Sequence, residues 1–220
     1  MNRKRMSANE RRAQIVSAAR RIFSRHGYEG AKTLQIAREA HVSEALVYRH
    51  FPSKLSLYRA VLRQVFLEQD QTWQQLGFHR NGAEGLVAVI HSFFLLAVQG
   101  DLTPEALDRY RLTLASLSGD GSYASLIYRR SQRRNGKAIA KEHEAARADG
   151  DIAGEPLDVA TTSMFIEHVG TMMGAISVLP ETARPYGVMG EDLARHATWF
   201  CCRGIGMSDA AIERCLAAHT

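Results

Sequence analysis

Residues 33–51, T-L-Q-I-A-R-E-A-H-V-S-E-A-L-V-Y-R-H-F, constrain the fold of this chain more than any other stretch. Two short helical patterns lie inside it. Ile36, Ala37 and Ala40 fall at i, i+1 and i+4, one face of a first helix that Thr33 can cap. Ser43 is placed to cap a second, because its hydroxyl can accept from a backbone N–H one turn on. Only His41 and Val42 remain for the corner between them. Helix, tight corner and helix is the arrangement that sets a second helix in a DNA major groove.

The distribution of charge agrees with a polyanion partner for this region alone. Residues 1–60 carry 13 Lys/Arg and 4 Asp/Glu, a net of +9; residues 61–220 carry 15 and 19, a net of −4. A basic head on a mildly acidic body is the electrostatic pattern of a nucleic-acid binder. The three cysteines, Cys201, Cys202 and Cys215, have neither disulfide-framework nor metal-ligand spacing and read as buried thiols. The N-terminus has the charges of a signal peptide without its apolar stretch, and the longest apolar run, residues 93–98, is too short to span a bilayer. The expectation is a cytoplasmic protein with no membrane partner.

Along the chain, residues 1–6 form a basic arm, with Arg3, Lys4 and Arg5 available to DNA or to solvent. Ser7 and Glu10 form a capping box opening a helix whose stripe is Ile15, Ala18, Ala19, Ile22 and Phe23, and Gly27 stops it. Pro52 breaks the chain after Phe51, and Ser53 caps a fourth helix bearing Leu55, Tyr58, Leu62, Val65, Phe66 and Trp73. From residue 82 onward the pattern is helical: Gly82 to Gly100, a helix begun by Pro104, a long one from Ser122 to Ala148, one opened by Pro156, one through Leu193, Ala197, Phe200 and Cys201, and a last one capped by Ser208. The predicted fold is all-α, with domain limits 1–54 and 55–220.

Residues 10–60 resemble the DNA-binding head of the TetR family of transcriptional regulators. The likeness rests on Phe23, Gly27, Thr33, Ile36, Ala37, Ala40, Val42, Ser43, Tyr48, His50, Phe51, Ser53, Lys54 and Leu57 at fixed offsets. It implies an N-terminal helix-turn-helix domain of the homeodomain-like three-helix kind, plus a C-terminal helical domain for ligand binding and dimerisation. It also implies that Thr33, Tyr48, His50 and Lys54 contact phosphate. Ser43, Glu44, Ala45 and Arg49 would then face the groove, with Leu46, Val47 and Phe51 in the core. Helix N-termini attract anions, which suits Thr33, and Arg49 can pair bidentately with guanine. Glu44 departs from many relatives. It either accepts from a cytosine amino group or serves the helix dipole.

For the body, the resemblance implies a homodimer formed by helices near 156–179 and 191–204, and a cavity for an unidentified small-molecule effector. Trp73, Phe93, Phe94, Tyr110, Tyr123, Met164, Phe165, His168, Met172 and Met173 are the candidate lining residues, each also readable as ordinary core. Gly170 and Gly174 would let helices approach closely, within one chain or across a dimer. Arg129, Arg130, Arg133 and Arg134 make a patch that reads as a solvated face or as a site for an anionic effector. No H-x-x-x-H, H-E-x-x-H or G-x-S-x-G pattern is present, so no catalytic residue, metal or cofactor is expected. The expected function is a ligand-responsive repressor on palindromic double-stranded operator DNA. The rivals are a DNA-binding regulator without an effector, acting as activator or structural factor, and an enzyme with a helical regulatory head.

Overall fold

The computed structural model describes residues 6–76, 80–99, 104–119, 121–155, 157–177 and 179–218. The side chains at 72, 73, 75, 76, 104–106, 134 and 135 lie outside that description, as do Arg3, Lys4, Arg5, Gly100, Asp120 and Pro156. The described chain is all-α, as expected. Its helices are α1 (Ala8–Gly30), α2 (Thr33–Glu39), α3 (Glu44–His50), α4 (Lys54–Leu76), α5 (Gly82–Gln99), α6 (Pro104–Leu117), α7 (Ser122–Ala148), α8 (Val159–Ser177), α9 (Gly190–Gly204) and α10 (Asp209–Ala217). No strand occurs among the described residues, and a lone bridge joins Ile152 to Met207.

Most helix starts follow their expected caps. Ser7 and Glu10 form the reciprocal box at α1. Ser43 Oγ accepts from Leu46 N–H at 3.2 Å, Ser53 Oγ from Ser56 N–H at 3.1 Å, and Ser208 Oγ from Ala211 N–H at 3.3 Å. Two starts differ. Thr33 is the first residue of α2 rather than its cap; Lys32 holds the cap position, and its N–H donates to Gln35 Oε1 at 2.9 Å. α8 begins at Val159, where the Asp158 carboxylate accepts from Thr161 N–H at 2.7 Å. Gly27 does interrupt α1, at φ +66°, but a further turn to Gly30 follows. The α2–α3 corner depends on His41 at φ 52°, a left-handed conformation uncommon for a residue with a side chain.

By contacts the chain divides into two compact units, residues 1–72 with 107–124, and residues 73–106 with 125–220. The first is centred on Ile15, Ile22, Phe23, Ile36, Val47, Phe51, Leu57, Val61 and Val65, all buried. Leu55, expected to face this core, is exposed, because Leu57, Tyr58 and Val61 take the inward face of α4. Two polar ties sit within the same unit. The Arg20 guanidinium, 3% exposed, donates to both Glu68 oxygens at 2.9 and 2.7 Å. The buried Ser24 hydroxyl donates to Asp108 Oδ1 at 2.7 Å, joining α1 to α6.

In the second unit α5 packs against α8, α9 and α10. It is long and apolar enough to cross a membrane by length and composition, yet half of it is buried, with Leu86, Val87, Ile90 and Phe94 in the core. Gly170 of α8 is what admits Phe93 of α5, since a Cβ there would run into the ring. The glycine pair thus has the within-chain role at Gly170. Cys201, Cys202 and Cys215 are free buried thiols, and burial pushes Cys201 up to about 11 and raises Cys202 and Cys215. The connector after α7 is pinned. Ala153 N–H donates to Gly206 C=O and Ser208 N–H to Asp151 C=O, both at 2.9 Å, and Asp151 pairs with Arg214 at 2.7 Å.

Candidate DNA-binding face and ligand cavity

The helix-turn-helix is built by burying one side of each short helix. Ile36, Ala37 and Ala40 of α2 and Val47 of α3 are buried, and Phe51 closes the end of α3 beneath the Arg12 guanidinium, 4.7 Å from its ring centre. That leaves Ser43, Ala45, Tyr48 and Arg49 exposed along α3, with Glu44 and His50 half-buried. Glu44 lies in the first turn of α3 and Arg49 and His50 in its last, each where the helix dipole favours its charge. The Tyr48 hydroxyl donates to Thr33 Oγ1 at 3.3 Å, so the two polar groups from α3 and α2 form one surface. Lys54, the first residue of α4, is anchored at the end of α1. Its Nζ donates to Glu29 C=O at 3.1 Å and lies 4.6 Å from the centre of the Tyr28 ring, which in turn packs on Tyr58 and Phe23.

In the second unit, α5, α7 and α8 surround a cavity of about 90 Å³. Leu86, Val89, Ile90 and Phe93 supply a hydrocarbon wall from α5. The stripe Gln132, Gly136, Ile139 and His143 on α7, at i, i+4, i+7 and i+11, lines a second side. Val159, Ser163, Met164, Ile166 and Glu167 of α8 line the third. Ser131 donates to Glu167 Oε2 at 3.4 Å. Burial, with the Arg147 charge, holds the His143 ring below its ordinary pKa, against the opposing pull of Glu144.

Of the ligand candidates named from sequence, Phe93 and Met164 line this cavity. Phe94 and Met173 are core. Tyr110 and Tyr123 belong to the first unit, where Tyr123 is fully buried, stacks on Phe66 at 6.1 Å, and has its pKa raised by that burial. Phe165 and Met172 point outward, and His168 is exposed, edge-on to Tyr128 at 5.0 Å. The Trp73 side chain lies outside the described residues. Sequence reasoning, looking for aromatic and Met residues, missed the α7 stripe and Ser163 and Glu167. The available signal was small and polar residues recurring at helical spacing on helices with an otherwise apolar face.

A shallow groove runs between α8 and α9, lined by Leu157, Phe165, Val169, Trp199 and Phe200. Phe165 is 63% and Phe200 72% exposed. Of the arginine patch, Arg129 and Arg133 are exposed, Arg130 is half-buried, and the Arg134 side chain is outside the description. Among the described residues no group of three His, Cys, Asp or Glu side chains is arranged to hold a metal.

Residues 15–61, the region of α1 through the start of α4, match the profile described as "Bacterial regulatory proteins, tetR family". Over those residues the chain carries a TetR-type DNA-binding region. It is 38% identical over 91 residues to the HTH-type transcriptional activator FasR of Mycolicibacterium smegmatis, an alignment covering 41% of this chain and 42% of that relative. The match therefore spans less than half of the curated relative's length. Two solved structures share the fold over most of the chain. A TetR-like transcriptional regulator from Rhodococcus sp. RHA1 aligns with a TM-score of 0.64 at 14% identity, covering 91% of this chain and all of the other. AibR, solved in complex with isovaleryl coenzyme A and operator DNA, aligns with a TM-score of 0.63 at 20% identity, covering 90% and 100%. These regulators are what this chain is similar to, FasR in sequence over part of the chain and the two solved structures in fold.

Proposed function

We propose that this protein is a regulator of the TetR family, a cytoplasmic, homodimeric repressor that binds a palindromic operator and is released by a small-molecule effector. The observation that carries the DNA half is the α2–α3 surface, where Thr33, Ser43, Glu44, Ala45, Tyr48 and Arg49 share one side of a helix pair whose other side is buried. Tyr48, His50, Thr33 and Lys54 act as phosphate anchors, and Arg49 reads a base. The effector half is supported by the cavity among α5, α7 and α8. A fold relative solved with both an acyl-coenzyme A and operator DNA is consistent with one protein taking both kinds of partner. The groove bearing Phe165 and Phe200 is the surface assigned to the partner copy. Two-fold symmetry then presents two α3 helices to successive major grooves, about 34–36 Å apart. Ligand favours a different spacing, and by linkage DNA weakens ligand binding by the same factor.

The test is binding of the purified protein to its own upstream DNA across a range of salt concentrations, with footprinting. A palindromic footprint and a steep fall of log K with log salt are expected. Lys54→Ala should weaken all sequences alike, whereas Arg49→Ala should relax preference at one base position in each half-site. Identical behaviour of the two variants across operator variants refutes the division of roles.

A further inference from the structure

Gly136 sits near the middle of α7, a helix of 27 residues that runs through it without a break. Glycine is the poorest helix former after proline, so its place there needs a compensating reason. Backbone strain is not that reason, because Gly136 is helical and its φ is not positive. Close packing is not the reason either. A Cβ at Gly85 would strike the Arg80 carbonyl, and one at Gly170 would run into the Phe93 ring. At Gly136 a Cβ would meet nothing within 4 Å among the described residues.

The space beside Gly136 is that of the cavity among α5, α7 and α8. Gln132, Gly136, Ile139 and His143 all line it, and their positions fall within about 60° of one another round the α7 axis. A side chain at 136 would therefore leave the helix toward the cavity. Hydrocarbon surrounds that point: Ile139 one turn along α7, Leu86, Val89 and Ile90 of α5, and Ile166 of α8. At roughly 10–15 Å³ for each water-sized group, a cavity of about 90 Å³ has room for about six to nine such groups. The side-chain carbons of a leucine at 136 would take up about half of that room.

Resting on the effector reading above, we infer that Gly136 sets the size limit of this cavity, and that the effector packs a compact hydrocarbon group, a single ring or a chain of like bulk, against the bare backbone there. A helix is a fit surface for such a group. Its N–H and C=O groups are already bonded to one another along the axis, so an apolar ligand laid on them leaves no polar group unmet. The helix gives up stability at Gly136, and the cavity gains room for the ligand.

The experiment uses the full-length protein without DNA, with ethylbenzene and benzene as probes in titration calorimetry. Gly136→Ala should raise the thermal midpoint of the ligand-free protein by about 2–4 °C, the gain expected of a better helix former in a chain of this length. The same variant should bind ethylbenzene at least threefold more weakly. Gly136→Leu should be no less stable than the parent protein, should lose at least tenfold in ethylbenzene affinity, and should lose less for the smaller benzene. A variant that is more stable and yet binds more weakly has not misfolded. A lowered midpoint in either variant overturns the inference, as does an unchanged ethylbenzene affinity in Gly136→Leu or no binding of ethylbenzene by the parent protein. The effector reading fails separately, when no compound from a broad library releases the protein from its operator; ethylbenzene binding that responds to Gly136 would then stand as a property of the cavity alone.

Discussion

Gly170→Ala tests the fit of α5 against α8 and can be worked through from the geometry. A Cβ on Gly170 would lie 2.6 Å from Phe93 Cζ and closer still to Cε1, where ordinary contact begins near 3.4 Å. The ring must therefore retreat by on the order of 1 Å in a close-packed interior. Overpacking of this kind costs about 1–3 kcal/mol. Opposing it, alanine is preferred over glycine within a helix by about 0.8–1 kcal/mol. The variant should thus lose up to about 2 kcal/mol. In a Phe93→Leu background the ring is gone, and the same substitution should be neutral or stabilising by up to about 1 kcal/mol. The coupling between the two positions is then about 1–3 kcal/mol, read from urea unfolding of the four proteins of the cycle. Because Phe93 also lines the cavity, its retreat should change ligand affinity along with stability. Equal effects of Gly170→Ala in both backgrounds, within about 0.5 kcal/mol, would refute the claim that the ring contact requires glycine.

Other consequences are as direct. Ser24→Ala removes a buried hydroxyl bond to the Asp108 carboxylate and should cost about 1.5–3 kcal/mol; a thermal midpoint lowered by less than about 2 °C, where roughly 2–4 °C per kcal/mol is expected, counts against that tie. His143 has a lowered folded-state pKa, so the native state holds the ring neutral while the unfolded chain takes up a proton near its ordinary value of 6.5. Its contribution is present above that value and is lost as pH falls toward the folded pKa. His143→Gln should accordingly flatten the fall in urea midpoint between about pH 7.5 and about pH 5.5, and an unchanged slope contradicts the assignment. Phe200→Asp should shift sedimentation toward a monomer, since it places a charge at the centre of the groove assigned to the partner copy; an intact dimer would move the interface elsewhere.

What the sequence made legible was local. Caps at Ser7, Ser43, Ser53 and Ser208 depend on bonds within one turn, and the spacing of Ile36, Ala37, Ala40 and Val47 is a property of a helix alone. What it hid was pairing at long range. Ser24 and Asp108 are 84 positions apart, and neither residue type announces a buried partner. Periodicity marked Phe93, Phe165, Met172 and Phe200 as apolar, but only the neighbouring helices decide that Phe93 faces a cavity while the other three face outward. Thr33 and Lys32 are adjacent, a difference finer than a propensity argument can resolve, and the bond at this cap runs from the Lys32 N–H to the Gln35 side chain rather than to a capping hydroxyl.

The pinned connector between α7 and α8 bears on where this chain tolerates being cut and rejoined. Residues 149–155, D-G-D-I-A-G-E, read like a spacer into which a fluorescent reporter could be spliced to build a biosensor. In the fold they act as a clasp. Asp151 and Ala153 hold the α9–α10 corner through backbone bonds, and a side chain at Gly206 would strike the Ala153 carbonyl. An insertion there would detach α10 from its support before any signal was gained. Residues 181–189, mostly exposed and carrying only a short 3-10 turn, are the better splice point.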